Sequence, residues 1–219
     1  MKVKIKSDCL NIFEQLPQEL IDQSLQIQKK KGEFLYQKGD TTKGFYFLKS
    51  GLIALTDVSP NGNESLFRLF SKDFFLGYRS FVVNEEYHAN ALALTDATVL
   101  KLSFSDITEV LNSYPTMFLH ITQMLARDLR VSEERFNDIT GKRVASRIIE
   151  SLVFLQQRQP EYTWTRREIG EFCGAKTETV TRTFTQLEKA GLLEKSGRDI
   201  IVPSYEALLD YKASIDLEG

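Results

Sequence analysis

The hydrophobic pattern of the last third of the chain predicts two short helices joined by a tight turn. Apolar residues at positions i, i+3 and i+4 indicate a first amphipathic helix, with Ile169, Phe172 and Cys173 facing inward. Gly174 permits the turn that follows. The second helix carries apolar residues at helical spacing on its inward face: Val180, Phe184 and Leu187.

A hairpin completes this region. Ala190 and Gly191 end the second helix, and two short apolar runs then flank the turn sequence Ser-Gly-Arg-Asp at 196–199. Helix, glycine turn, helix and hairpin is the order of a winged helix-turn-helix, whose second helix enters the DNA major groove. Away from its apolar face, this helix carries the residues that we expect to read bases: Glu178, Thr181 and Arg182.

The first half of the chain has the pattern of a β-sheet domain. Residues 8–31 predict one or two short helices, with Pro17 in the first turn of the second. From Gly32 to about Leu102, short aromatic or β-branched runs alternate with turn signals, as in an antiparallel jelly roll that can enclose a small ligand. The predicted strands cover residues 34–36, 45–48, 52–55, 66–70, 74–76, 89–94 and 99–102.

A long helix is predicted between these regions. After a short helix over 103–113, capped by Ser103 or Ser105, Pro115 opens a helix that extends to about residue 139. The apolar residues of this helix are spaced almost as in the seam of a coiled coil, which predicts a dimer interface. An amphipathic helix packed on its own domain has the same pattern. The expected interface residues are Ile121, Leu125, Leu129, Ser132 and Phe136.

These patterns predict an α+β chain with three parts. Residues 1–114 form a double-stranded β-helix (jelly roll) domain with N-terminal helices, which can enclose a small ligand, and residues 115–139 form the dimerisation helix. Residues 140–219 form the winged helix-turn-helix, with a hinge at Thr140 and Gly141.

Composition and charge adjust this interpretation. No apolar run approaches the ~20 residues of a membrane span, and the first ten residues lack the apolar core of a signal peptide, so we expect a cytoplasmic protein without a membrane partner. The net charge of −2 argues against a nucleic-acid binder. Between residues 163 and 198, however, seven basic residues stand against five acidic ones, and a dimer would double the phosphate contacts.

The polar face of the second helix fits base readout. The guanidinium of Arg182 can fork onto guanine O6 and N7, Glu178 can accept from the cytosine amino group, and Thr181 can touch a thymine methyl. The alternative is a surface ion pair between Glu178 and Arg182. Phosphate contacts are expected from Arg166 or Arg167, Lys176, Thr179 and the hairpin residues Lys195 and Arg198.

In this order, jelly roll, long helix and winged helix resemble the CRP/FNR family of bacterial transcription regulators. The segments that carry the resemblance are 32–33, 39–40, 44–51, the Asp-Ile-Thr-Gly sequence at 138–141, and 165–193 with its Glu178-x-x-Thr181-Arg182 pattern. The resemblance implies a homodimer on double-stranded DNA, with TGA-containing half-sites in an inverted repeat, and RNA polymerase as a further partner. Thr177, where cyclic-AMP-binding relatives often have Arg, is a fourth candidate base contact.

The resemblance also implies a sensor, but the sequence departs from the known ones. Cyclic-AMP binding in the family needs a Gly-Glu pair and an Arg-Ser pair, which suit an anionic cyclic phosphate. Here the segments read Leu-Gly-Tyr-Arg at 76–79 and Tyr-His-Ala at 87–89, so we expect a protein that is not of the cyclic-AMP-binding type. An effector, of unknown identity, would meet Gly77, Tyr78, Arg79, Tyr87, His88 and Ser132.

Other sensing chemistries remain as alternatives. Cys9 and Cys173 cannot supply the about four thiolates of an iron–sulfur cluster, whereas His88 keeps a haem-based gas sensor open. Oxidation of Cys173 behind the second helix is a redox hypothesis, against its role as a small core residue. A jelly-roll enzyme would need a cluster of metal ligands, and with two histidines in the chain we expect no enzyme, metal or cofactor.

Overall fold

In a computed structural model of the chain, residues 16–197 and 199–217 are described, and they form two compact units. The N-terminal unit contains residues 16–62 and 67–128. The C-terminal unit contains the described residues from 129 onwards together with 63–66. Among the described residues, no helix is both long and apolar enough to cross a membrane.

The N-terminal unit is built mainly of strands. Its elements are α1 (Gln18–Gln23), β1 (Leu25–Lys29), β2 (Phe34–Tyr36), β3 (Phe45–Ser50), β4 (Ile53–Val58), β5 (Glu64–Phe70, whose first three residues are counted in the C-terminal unit), β6 (Phe74–Leu76), α2 (Tyr78–Val82), β7 (Asn90–Ala93), β8 (Ala97–Leu102), α3 (Ile107–Ser113) and the first half of α4 (Pro115–Gly141). The strands form two four-stranded sheets, ordered β1-β8-β3-β6 and β2-β7-β4-β5.

Strand β3 shows why the unit has two hydrophobic cores. Alternate side chains of a strand point to opposite faces, and in β3 both faces are buried. Phe45 and Phe47 pack with helical residues such as Val110, whereas Tyr46 and Leu48 pack in a second core with residues of the other sheet. A continuous apolar run is therefore compatible with a strand here, because helices cover the outer face of its sheet.

Close backbone approach fixes the turn before β3. Gly44 has a φ of 110°, and a Cβ at this position would lie 1.9 Å from the carbonyl oxygen of Leu102. Glycine is therefore required where β3 meets the end of β8.

The prediction of short helices within residues 8–31 is wrong over residues 25–29, because this segment is strand β1. Leu25 lies opposite Lys101 and Lys29 opposite Ala97 in an antiparallel pair with β8. The partner strand is more than sixty residues away in sequence, so pairing rather than local pattern decides the conformation of β1.

The predicted cap of α3 is also wrong. The Asp106 carboxylate, rather than Ser103 or Ser105, caps the helix by accepting from the backbone N–H groups of Thr108 and Glu109 at 2.7 and 3.0 Å. Ser105 instead donates its own N–H and hydroxyl to the Glu109 carboxylate.

The C-terminal unit is mainly helical. After the second half of α4 come α5 (Val144–Arg158), α6 (Arg166–Cys173), α7 (Thr177–Lys189), β9 (Glu194–Ser196), β10 (Asp199–Ile201) and α8 (Tyr205–Leu217). Helix α5 packs against α6, α7 and α8. The core of the unit includes Ile148, Leu152, Trp164, Ile169, Val180, Phe184 and Leu208. The sequence did not predict α8.

Candidate nucleic-acid interface

A reciprocal cap begins helix α6. The Thr165 hydroxyl accepts from the backbone N–H of Glu168, and the Glu168 carboxylate accepts from the backbone N–H of Thr165 at 2.8 Å. The Tyr162 hydroxyl donates to the same carboxylate at 2.5 Å. This network fixes the start of the first helix of the helix-turn-helix.

The turn between α6 and α7 is tight because two glycines allow it. Gly174 ends α6 with a left-handed φ of 69°. A Cβ at Gly170 would lie 2.5 Å from the carbonyl oxygen of Ala175, whose N–H donates to the Gly170 carbonyl at 2.9 Å. The close approach of these backbones sets the direction in which α7 leaves the turn.

Helix α7 separates a buried face from an exposed one. Its inward side chains are Val180, Thr183, Phe184 and Leu187. The exposed side chains include the predicted base contacts Thr177, Glu178, Thr181 and Arg182, and the predicted phosphate contact Lys176 at the N-cap. Thr179 is half-buried. The predicted reading residues therefore share a solvent-facing surface at the N-terminal half of α7, where a recognition helix meets base edges.

The hairpin of β9 and β10, which is the wing of the winged helix, is anchored to the helices of the C-terminal unit. Gln156 of α5 donates to the Ile200 carbonyl at 2.7 Å, and the Thr163 hydroxyl donates to the Asp199 carboxylate at 3.0 Å. Lys195, opposite Ile200 in the hairpin, is exposed. Arg198, the other predicted wing contact, lies outside the described residues.

The two arginines at the start of α6 differ in availability. The half-buried Arg166 guanidinium lies 3.4 Å from the Glu188 carboxylate and 5.7 Å from the centre of the Phe184 ring, so it faces α7. Arg167 is exposed and pairs with two carboxylates, that of Glu171 one turn later and that of Glu64. Of the two predicted alternatives, Arg167 is the more exposed, and both guanidinium groups already have carboxylate partners.

Helix α4 exposes an apolar stripe in its second half. Leu129 is 63% exposed and Phe136 67%, with Ser132 exposed between them, whereas Leu125 is half-buried. Ile121, predicted as part of the seam, is instead a core residue. It is 1% exposed and packs in the core of its own unit, so no surface is left for a partner.

A small cavity in the N-terminal unit gathers most of the predicted effector residues. It is lined by Tyr36, Leu55, Phe70, Gly77, Tyr78, Arg79, Ser80, Tyr87 and His88. Ser132, on the exposed surface of α4, is not among these residues. The cavity volume is about 20 Å³, close to the space that one water molecule needs, whereas ligand pockets usually have about 300–1,000 Å³.

Tyrosine side chains fill the space beside this cavity. The Tyr36 ring stacks on Tyr87 with 3.7 Å between centroids and lies 5.7 Å from Tyr46. A Cβ at Gly77 would meet Tyr87 at 3.2 Å. Burial raises the pKa of Tyr36, and likewise that of Tyr87, so both hydroxyls stay protonated to a higher pH than an exposed tyrosine. The sequence did not single out Tyr36 and Tyr46, because their strands reach the cavity only through sheet pairing.

A buried polar group connects the cavity wall to α4. The Tyr78 hydroxyl donates to the Asp128 carboxylate, and the Arg68 guanidinium pairs with the same carboxylate. Burial opposes the charge on Arg68, but the hydrogen bond and the charge of Asp128 outweigh it and raise the pKa of Arg68. Tyr78 thus lines the cavity, and its hydroxyl contacts the long helix α4.

Cys173 is a buried thiol at the end of α6. It is 6% exposed, and its Sγ lies 3.7 Å from the Gly170 carbonyl oxygen. Burial raises the pKa of the Cys173 thiol. A protonated, inaccessible thiol reacts slowly with peroxide, which weakens the redox hypothesis.

The fold and the exposed face of α7 define a winged-helix DNA-binding protein joined to a β-roll of the cyclic-nucleotide-binding type. The profile of the cyclic nucleotide-binding domain matches residues 26–114, and that of the Crp-like helix-turn-helix domain matches residues 142–211. The chain belongs to the CRP/FNR family of DNA-binding transcription regulators, which are not enzymes. The predicted family and fold class are confirmed.

Relatives share the architecture at modest identity. The chain is 26% identical over 180 residues to the transcriptional activator protein Anr of Pseudomonas aeruginosa, covering 78% of this chain and 73% of that protein. It is 25% identical over 177 residues to the cAMP-activated global transcriptional regulator CRP of Salmonella typhimurium, covering 77% and 84%. The structure of the c-di-GMP-responsive regulator CLP of Xanthomonas campestris superposes with a TM-score of 0.76 and 17% identity, covering 85% of this chain and 97% of that one.

Proposed function

We propose that the protein binds DNA as a homodimer, with α7 of each protomer in the major groove of one half of an inverted repeat. The observation that carries the proposal is the outer face of α7, where Thr177, Glu178, Thr181 and Arg182 are all exposed at the N-terminal half of the helix. Recognition helices of this class contact base edges through that part of the helix.

Each of these side chains has a role in the proposal. Arg182 forks onto guanine O6 and N7, and Glu178, one turn earlier, accepts from a cytosine amino group. Thr181 contacts a thymine methyl, and Thr177 is a fourth contact at the groove edge. By family resemblance the half-site contains TGA.

Phosphates are held by cations and hydroxyls around this face. Lys176 and Thr179 lie at the start of α7, Arg167 at the start of α6, and Lys195 in the wing. Arg198 is proposed from the sequence alone, and Arg166 contributes less because its side chain is half-buried against α7. A cation at the N-terminus of α7 is unfavourable in isolation, and DNA phosphate compensates for it.

The α4 stripe provides the dimer contact. Exposed Leu129 and Phe136, seven residues apart, lie on nearly the same side of the helix, and Ser132 lies between them. Two copies packed on this stripe bury apolar surface that each exposes alone. The resemblance also predicts contact with RNA polymerase when the dimer is on DNA.

The β-roll has two alternative roles in the control of DNA binding: it responds to a small-molecule effector, or DNA binding is controlled without one. The cavity of about 20 Å³ favours the second, because a nucleotide or haem needs far more space and the stacked rings of Tyr36 and Tyr87 line the cavity. On this proposal the wild-type protein binds its site tightly without an added nucleotide.

The test is selection of bound DNA from a random pool by the purified full-length protein, followed by native mass spectrometry of the complex. The expected result is an inverted repeat of TGA-containing half-sites bound by two chains, with no mass added by a small molecule. Selection of a single half-site by one chain would overturn the dimer, and a retained nucleotide or haem would overturn control without an effector.

Two variants test the roles of the side chains. Arg182→Ala is expected to cost about 1–3 kcal/mol of DNA binding and to relax the preference at one base pair. Lys195→Ala is expected to weaken binding to all DNA sequences alike and to reduce the slope of log affinity against log salt concentration by about one. Equal loss on specific and random DNA for Arg182→Ala would refute its base-reading role.

A further inference from the structure

Arg135 of α4 holds the end of helix α6. Its Nη2 donates to the Phe172 carbonyl oxygen at 2.6 Å, and its guanidinium carbon lies 4.7 Å from the centre of the Phe172 ring. A charge-assisted hydrogen bond and a cation–π contact therefore act on the same residue. Burial lowers the pKa of Arg135, as for a guanidinium largely removed from water.

The contact continues into helix α5. The Phe172 ring stacks on Phe154 with 5.5 Å between centroids and 11° between planes. The Arg158 guanidinium carbon lies 5.9 Å from the centre of the Phe154 ring. The resulting stack, here called the Arg135 column, consists of Arg135, Phe172, Phe154 and Arg158.

A second arginine ties the same helix end to the chain around residues 140–141. Arg147 donates from Nε to the Cys173 carbonyl at 3.2 Å and from Nη1 to the Ile139 and Lys142 carbonyls, both at 3.1 Å. Helix C-termini leave carbonyls without helical donors and attract cations, so two guanidinium groups suit the end of α6. Both arginines connect residues on opposite sides of the predicted hinge.

We propose that Arg135 is a positioning residue that fixes the helix-turn-helix relative to the dimer stripe of α4, and so sets the half-site spacing that the dimer accepts. The stripe residues Leu129 and Phe136 belong to the same helix segment as Arg135, and α6 leads directly into α7 through the tight turn at Gly174. The inference rests on the proposed dimeric function, because spacing has meaning only for a symmetric pair of reading helices.

Without Arg135, the chain around residues 140–141 is still held by the hydrogen bonds of Arg147 and by the ion pairs of Lys142 with Asp138 and Glu150. The carbonyl of Phe172 then loses its charged donor and the column loses its first cation, so the angle between α4 and α6 can vary. The bases that α7 reads are unaffected, since Arg135 lies on a different helix from the reading face. The inference therefore separates two properties of DNA binding: half-site sequence is kept, and spacing selectivity is lost.

The experiment uses the full-length wild type, Arg135→Ala, Arg135→Lys and the control Arg130→Ala, which removes an exposed arginine from the same helix. Each is bound to inverted repeats whose spacer is changed by one or two base pairs from the optimum. Wild type and Arg130→Ala are expected to prefer the best spacer by about tenfold, equivalent to 1.4 kcal/mol, and Arg135→Ala by less than about threefold. Arg135→Lys is expected to lose selectivity too, because an ammonium cannot both donate to the carbonyl and lie flat over the ring.

The outcomes are distinguishable. A uniform loss of affinity at every spacer, with the preference kept, would mean that Arg135 only stabilises the fold and would overturn the inference. If Arg135→Ala does not fold, the Arg135→Lys profile decides on the same criterion. A wild type that shows no preference among spacers would overturn the proposed dimeric function and this inference with it. If the wild type prefers one spacer and the Arg135 variants keep the same preference, this inference alone is overturned.

Discussion

The imidazole of His120 lies 6.0 Å from the ring of Phe75, and its Nε2 is buried without a hydrogen-bond partner in the described part of the chain. Burial, and after it the positive charge of Arg127, holds the pKa of His120 below its ordinary value of 6.5. The neutral ring is therefore the form that the folded N-terminal unit favours.

This environment predicts acid sensitivity of the N-terminal unit. Below pH 6.5 the imidazole of His120 is protonated in the unfolded chain but still neutral in the folded chain. The free energy of unfolding should therefore fall as the pH drops from 7 towards 5. Urea titrations at several pH values measure it, and His120→Gln should flatten the profile. The pKa of His88 is lowered too, by partial burial and then by Arg79, but His88 is exposed, so His88→Gln should flatten the profile less than His120→Gln. An unchanged slope in His120→Gln would contradict the assignment.

The Tyr78–Asp128 hydrogen bond predicts a loss of stability in Tyr78→Phe. The variant keeps the ring in the core but removes a donor from a buried carboxylate, which should cost about 1–3 kcal/mol in the free energy of unfolding. Tyr114→Phe, in a half-buried tyrosine whose ring packs on Phe104, is the matched control and should cost less. Equal losses in the two variants would remove any special role for the Asp128 contact.

The α4 stripe predicts that Phe136→Glu makes the protein monomeric. Two carboxylates facing each other across the seam would be both desolvated and repulsive, so sedimentation should show single chains and binding to an inverted repeat should fall by at least about tenfold. Val131→Glu is the control, because Val131 is 52% exposed but lies on nearly the opposite side of the helix from Leu129. If Val131→Glu dissociates the dimer and Phe136→Glu does not, the seam is on the other face.

The reciprocal cap predicts that Thr165→Ala destabilises the C-terminal unit by about 1 kcal/mol. Thr165 is exposed, so the loss reports the hydrogen bonds of the cap rather than core packing. Thermal unfolding followed by circular dichroism measures it. Thr185→Ala removes an exposed threonine whose hydroxyl donates within its own helix, and should change the unfolding temperature less.

Burial of Cys173 predicts that oxidation does not control DNA binding. Wild type and Cys173→Ser should lose binding to the same extent over a peroxide titration measured by fluorescence anisotropy, because a buried thiol with a raised pKa is a poor nucleophile. Selective resistance of Cys173→Ser would restore the redox alternative.

The sequence predicted those parts of the molecule that local periodicity determines. The two faces of α7 follow from the spacing of Val180, Phe184 and Leu187, and the structure has them as predicted. Strand β1 was missed because its conformation depends on a distant partner. Helix α8 was missed because its apolar residues are scattered and, of them, Leu208 is the one that is buried.

Long-range contacts account for the site features that the sequence could not show. Arg135 and Arg130 stand in the same charged stretch of α4, and Arg135 differs by its contacts with residues distant in sequence, the carbonyls of Leu66 and Phe172. Likewise, Gly77 and Tyr87 were predicted as pocket residues from family resemblance, but the stacking of Tyr36 on Tyr87 depends on the assembled sheets. Polarity alone carries no information on which partner a side chain will meet.

Trp164 has a photophysical consequence. It is the single tryptophan of the chain, is 2% exposed in the C-terminal unit, and donates its indole N–H to the Leu155 carbonyl at 3.1 Å beside the Tyr162 ring. Its emission therefore reports on the DNA-reading unit, whereas the tyrosines of the N-terminal unit absorb at shorter wavelengths. Selective excitation at the red edge of the absorption band follows the melting of one unit in the intact chain without any added label.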